Sequence, residues 1–208
     1  VLELISHLQL GVDVLHLHDW QTAMIAPLYR EKYAMHPWYD NIKLVFTIHN
    51  IAYQGKADPR IVNSIFGLPD YLYENGNLQN DNCFNMMKSA ILYSDIITTV
   101  SPTYAKEILT DEFGEGLQYI LRTRANDLYG ILNGIDYAVN DPSTDKNLVA
   151  NFDLEHLDKK IENKLALQRE CGLEENPDIP LIGVVTRLTW QKGLDLIINR
   201  LQEMLSRD

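Results

Sequence analysis

Two hydrophobic periods alternate along the chain. Short apolar runs occur at residues 12–18 (VDVLHLH), 43–49 (KLVFTIH), 95–100 (DIITTV), 128–132 (LYGIL) and 181–185 (LIGVV). They are short enough to be strands, and the last, rich in β-branched residues, reads as a buried parallel strand. Between them, apolar positions recur every three or four residues. Residues 1–10 read as the tail of a helix. Trp20, Ala23, Met24, Pro27 and Leu28 share one helical face, with Pro27 bending the helix. Phe84, Met87 and Ile91 mark another helix, and a further one covers roughly 116–125. Leu154, Leu157, Ile161 and Leu165 mark a long charged helix, and Leu194, Ile197, Ile198, Leu201 and Leu205 an amphipathic one. Ser101 followed by Pro102 is an N-cap and first-turn pair.

Breakers divide these elements. Pro59, Gly67, Pro69 and Gly76 leave residues 57–82 as short helices and loops. Residues 137–151 are turn-rich and read as a linker, and 176–180 (NPDIP) are a second break. Alternating strands and helices imply an α/β fold with a Rossmann-like, mostly parallel sheet and flanking helices. The expected division is 1–136, the second half of a first Rossmann-like domain; 137–178, a linker and connecting helix; and 179–208, the first strand–helix unit of a second domain. One strand and one helix bury too little surface to stand alone, so both ends of the chain read as cut.

Composition narrows the classes of function. At 208 residues, 46% hydrophobic and 23% charged, the chain can bury a core. No apolar run approaches the ~20 residues of a membrane span. A net charge of −11 argues against nucleic acid or an anionic membrane as partner. Cys83 and Cys171 form no CxxC and read as reduced thiols.

Candidate chemistry collects at the carboxyl ends of the strands, where ligands bind in open α/β sheets. His18 and Asp19 end the first run, His49 and Asn50 the second, and Asn133 the fourth. Tyr53 and Gln54 follow with phenol and amide groups suited to sugar hydroxyls. His16 and His18 face the same side of their strand. His18 reads as a hydrogen-bond partner for a substrate hydroxyl; with His16 and Asp19 it also forms an HxHxD metal pattern, against which stands His16 as a core histidine bonded to backbone. Arg187 and Lys192 lie between an apolar run and a helix start, a setting for a diphosphate. The plain alternative is a solvated loop whose cations pair with surface carboxylates.

Taken together and in order, HLHDWQTA at 16–23, FTIHNIAYQG at 46–55, TVSPTYA at 99–105, GILNGID at 130–136 and TRLTWQKGLD at 186–195 resemble the bacterial glycogen synthase and plant starch synthase family. The resemblance covers nearly the whole chain. It implies a GT-B fold of two Rossmann-like domains. It also implies glucose transfer from ADP-glucose to the non-reducing end of an α-1,4-glucan, with retention, no metal and no other cofactor. By the same resemblance Arg187 and Lys192 contact the donor diphosphate, His18 and Asn133 lie at the reaction centre, and His49, Asn50, Tyr53 and Gln54 line the N-terminal wall. The family's Lys- and Gly-containing N-terminal motif would precede residue 1, and its C-terminal carboxylate and glycine loop would follow residue 208. Val139 stands where the family usually has Trp. The implied compartment is the bacterial cytosol, or a plastid for a plant source, and a chain cut in this way is expected to self-associate artefactually. The alternative function is a non-catalytic α-glucan-binding module on the same scaffold; a phosphorylase would need a pyridoxal-binding lysine for which nothing in the sequence argues.

Overall fold

The computed structural model describes residues 1–206. The chain divides into two compact units, Val1–Gly134 and a second from Ile135 onward. Each is described by itself.

The first unit opens with α1 (Leu2–His7), followed by β1 (Val14–His18), α2 (Asp19–Ala23) and α3 (Ile25–Leu28). A π-helical turn (Tyr29–Tyr33) and a 3-10 turn (Pro37–Tyr39) lead into β2 (Lys43–Ile48). The expected bend at Pro27 is a break between α2 and α3. Pro27 has no N–H for the carbonyl of Ala23, the last residue of α2. An excursion follows: β3 (Lys56–Ala57), α4 (Ile61–Ser64), α5 (Tyr71–Glu74), β4 (Gln79–Asn80), β5 (Cys83–Asn85) and α6 (Met86–Tyr93). Then come β6 (Ile96–Thr99), α7 (Pro102–Glu107), α8 (Gln118–Thr123) and β7 (Leu128–Gly130).

Four strands form one parallel sheet in the order β1-β2-β6-β7, the α/β arrangement expected. Leu17, Leu44, Phe46, Ile48 and Ile97 point from it into the main core, where they meet Ala23, Met87, Ile91 and Leu121. Burying side chains of this size is worth about 1.5–3 kcal/mol each. The opposite face is less covered: His16, His18 and Tyr129 are exposed, while Thr47 and Thr98 are buried. The outward positions carry histidine, threonine and tyrosine, which tolerate solvent.

The excursion has its own core of Val62, Leu68, Leu72, Leu78 and Phe84. Its three-stranded sheet, order β3-β5-β4 and antiparallel, has strands of two or three residues, too short to show alternation. Phe84, expected on a helix, lies on β5 instead. Ser101 caps α7 as expected, its Oγ accepting the N–H of Tyr104, with Pro102 at the first position. Arg124 reaches back to the carbonyls of Ile91, Leu92, Ser94 and Asp95 and pairs with Asp127, which fixes the connection from α6 to β6.

The second unit begins with a turn-rich exposed segment and contains a 3-10 turn (Leu157–Lys159), α9 (Lys160–Glu170), a second 3-10 turn (Trp190–Lys192) and α10 (Leu194–Leu205). Leu154, expected on α9, lies outside it and is exposed. The expected strand at 181–185 is not formed. A strand needs a hydrogen-bonded neighbour, and among the described residues this unit has no other strand; Val185 is fully exposed. The amphipathic stripe of α10 is present, but its Ile198, Leu201 and Leu205 are exposed. The expected third domain segment, 179–208, includes Arg207 and Asp208, which lie outside the described residues. No helix among the described residues is long and apolar enough to cross a membrane.

Candidate functional site

The carboxyl ends of β1 and β2 come together through the parallel register. His16 stands beside Val45 and His18 beside Thr47. His18 closes β1 and immediately precedes α2. Its backbone is held at both polar atoms by one side chain: Thr22 Oγ1 accepts the His18 N–H at 2.6 Å and donates to the His18 carbonyl at 2.9 Å. Asp19, at φ 52°, turns the chain into α2. Its Oδ1 accepts the backbone N–H of His49 at 2.8 Å and of Asn50 at 3.3 Å.

The loop after β2 is pinned residue by residue. Besides Asp19, Tyr104 Oη accepts the Ile51 N–H at 3.2 Å, and Asn50 Oδ1 accepts the Ala52 N–H at 3.0 Å. Four consecutive backbone donors, at residues 49, 50, 51 and 52, are thus satisfied by side chains. A loop with its donors used internally presents its side chains on a fixed frame.

Those side chains form a polar chain across the open face of the sheet. His18 Nδ1 lies 3.0 Å from His49 Nε2. The His18 ring stands 4.2 Å from that of His16, centroid to centroid. His16 Nε2 contacts Thr47 Oγ1 at 2.7 Å, which in turn contacts Thr98 Oγ1 at 2.6 Å. Partial desolvation of the ring on this face first, and then repulsion from His18 and His49, holds the His16 imidazole below its usual pKa. His16 is therefore bonded within the protein, but at an exposed position and to the Thr47 hydroxyl, not in the core and to backbone as its plainer reading had it. The HxHxD pattern is otherwise engaged: the Asp19 carboxylate serves backbone N–H groups, and no cluster of three or more metal-ligating side chains occurs among the described residues.

Beside this chain of groups lies a cavity of about 470 Å³ bordered by Trp20, Tyr53, Gln54, Lys56 and Met86. Gly55 makes its wall possible. At φ 65° a Cβ there would sit 2.7 Å from Trp20 Cε3, so the indole packs on bare backbone. Tyr53 is half-exposed at the rim. Gln54 is buried, with its Nε2 donating to the Glu115 carbonyl at 2.8 Å and its Oε1 accepting from Asn85 at 2.7 Å. Both ends of its amide brace the loop from inside.

Asn133 is exposed in the segment after β7, on the same edge but two strands along from β2. The last ladder bond before it runs from the Ile131 N–H to the Thr99 carbonyl. Gly130 lets this strand end pass α7: a Cβ there would meet the Ser101 carbonyl oxygen at 2.2 Å.

In the second unit, Arg187 and Lys192 are exposed on the loop that leads through Trp190–Lys192 into α10. Both lie on a solvated loop, as the plain alternative had it, but neither makes an ion pair among the described residues. Gly193, at φ 65°, joins the turn to α10, and its carbonyl accepts the first helical N–H groups, of Leu196 and Ile197.

The sequence pointed to the strand ends but missed Thr22, Thr47, Thr98 and Trp20 as their supports. The available signal was polar Thr47 and Thr98 at outward positions of otherwise apolar strands.

A family model described as the starch synthase catalytic domain matches residues 1–123. The glycogen synthase of Streptococcus agalactiae serotype Ia is 51% identical over 207 residues, covering 100% of this chain and 44% of that protein. The glycogen synthase of Clostridioides difficile strain 630 is 45% identical over 208 residues, 43% of its length. Among solved structures, the catalytic domain of starch synthase IV from Arabidopsis thaliana, bound to ADP and acarbose, superposes with a TM-score of 0.88. It is 40% identical, and the match covers 98% of this chain and 42% of that one. The chain thus spans less than half the length of these relatives.

Proposed function

Because the chain belongs to the starch synthase catalytic-domain family, we propose that its protein transfers glucose from ADP-glucose to the non-reducing end of an α-1,4-glucan, glycogen or starch. The transfer retains the anomeric configuration and needs no metal. The observation that carries this reading is the match, across 98% of the chain at 40% identity, to a starch synthase catalytic domain bound to ADP and acarbose, a nucleotide and an oligosaccharide analogue.

Each group then has a role. Without a metal, protein cations must balance the charge that grows on the departing nucleoside diphosphate, and Arg187 and Lys192 supply it. His18 hydrogen-bonds an oxygen of the donor glucose, and Asn133 serves the same reaction centre. His49, Asn50 and Tyr53 belong to the N-terminal wall, with Gln54 bracing it. The cavity beside Trp20 and Tyr53 offers an aromatic surface to the glucan. The cytoplasm is the proposed compartment.

The test is glucose transfer to glycogen by the complete gene product, with ADP-glucose and UDP-glucose offered separately. Transfer from ADP-glucose should fall at least ~10-fold in Lys192→Ala, about 1.4 kcal/mol of lost transition-state stabilisation. A folded protein that binds glycogen but transfers from neither donor would overturn the proposal in favour of a glucan-binding module.

A further inference from the structure

We propose that His49 is a positioning residue: by donating its Nε2–H to Nδ1 of His18, it holds His18 in the tautomer whose Nε2–H faces outward as a donor. The inference rests on the proposed function for its catalytic consequence, but its structural content stands on geometry alone.

His18 is constrained on three sides. Thr22 grips its backbone, the His16 ring covers one face at 4.2 Å, and His49 Nε2 stands 3.0 Å from its Nδ1. Only its Nε2 has no protein partner among the described residues. His49 is constrained in turn by Asp19, whose carboxylate accepts its backbone N–H. Both backbones are therefore held, and they set the two rings side by side.

A hydrogen bond between two ring nitrogens needs one proton, and that proton fixes both rings at once. In one arrangement His49 Nε2–H donates and His18 Nδ1 accepts. Both rings then carry their proton on Nε2, the form a neutral histidine side chain prefers in water. In the other arrangement His18 Nδ1–H donates, and both rings must adopt the less favoured Nδ1–H form. That would also leave His49 Nδ1–H without a protein acceptor among the described residues. The first arrangement is favoured on both rings.

The consequence is directional. His18 then presents N–H rather than a lone pair to whatever lies beyond its Nε2. That suits an acceptor oxygen, such as a hydroxyl oxygen of a bound sugar, and does not suit proton abstraction. His49→Gln keeps an amide N–H at similar reach from the backbone. His49→Ala leaves Nδ1 of His18 to water, which donates or accepts indifferently.

The experiment uses the complete gene product with 15N-labelled histidine. Long-range proton–nitrogen spectra report which nitrogen of His18 is protonated. The wild type and His49→Gln should show a protonated Nε2 and a bare Nδ1, and His49→Ala a mixture. In kinetics, kcat should fall ~10-fold or more in His49→Ala, the size usual when the partner that orients an imidazole is lost. KM for ADP-glucose should stay within about 3-fold, and His49→Gln should recover most of kcat. A protonated Nδ1 in the wild type, or an unaltered tautomer in His49→Ala, would overturn the inference. If the wild type transfers no glucose, the functional proposal fails while the spectra still decide the tautomer.

Discussion

The backbone N–H of His49 donates to Asp19 Oδ1 at 2.8 Å, so the carboxylate that follows β1 holds the residue that follows β2. One side chain thereby sets the separation of two strand ends that are 30 residues apart in sequence. Replacing Asp19 by Ala removes acceptors for two N–H groups and leaves a residue with a Cβ at positive φ. Stability should fall by about 1–3 kcal/mol, read as a lower urea midpoint. Asp19→Asn keeps an oxygen acceptor and a residue type that tolerates this φ, and should lose less than half as much. Equal losses would mean that the negative charge, not the acceptor, matters.

Gly55 and Gly76 give a matched pair of substitutions. Both have positive φ, 65° and 87°. A Cβ at Gly55 runs into Trp20, whereas one at Gly76 meets nothing within 4 Å. Gly76→Ala should cost about 1–2 kcal/mol from the backbone alone. Gly55→Ala should cost about 1–3 kcal/mol more through overpacking, together with a shift in Trp fluorescence. Equal costs would show that the indole moves aside freely.

His16 makes stability depend on pH. Its pKa is lowered in the folded state by partial desolvation and by His18 and His49, so near and below its ordinary pKa of 6.5 the unfolded chain binds more protons. Stability then rises with pH through that window. The contribution is complete above about pH 6.5 and is lost as pH falls toward the lowered folded value. Urea midpoints measured between pH 5 and pH 7.5 should therefore drop on acidification, and His16→Gln should flatten the slope while keeping a donor for Thr47. An unchanged slope would assign the acid sensitivity to other groups.

The four strands of the parallel sheet could be read from the sequence because each is a compact apolar run, and the Ser101 cap because Ser-Pro before a helix leaves little choice. The pairing of His18 with His49 could not be read. It depends on strand register and on a carboxylate reaching across a loop, and neither has a local signature. The small antiparallel sheet of the excursion escaped for a related reason: strands of two or three residues carry no period. Gln54 illustrates the limit at single residues, since an amide after a strand end looks the same whether it faces a sugar or, as here, Asn85 and Glu115. At 181–185 the apolar run shows strand propensity, but propensity supplies no neighbour to bond with.

The exposed stripe on α10 has a thermodynamic consequence. Every buried apolar side chain among the described residues lies at or before Leu121, and the second unit buries only Gln168. Heat capacity rises on unfolding because apolar surface meets water, and most large apolar side chains of the second unit are already exposed, with others such as Phe152, Leu165 and Ile197 partly buried. Calorimetry on this chain should therefore give an increment of about 1.6–2.0 kcal/mol/K, the value for the Val1–Gly134 unit alone. A 208-residue protein with an ordinary core throughout would give about 2.5–3.1 kcal/mol/K. The heat-capacity step of this chain should therefore come mainly from its first unit.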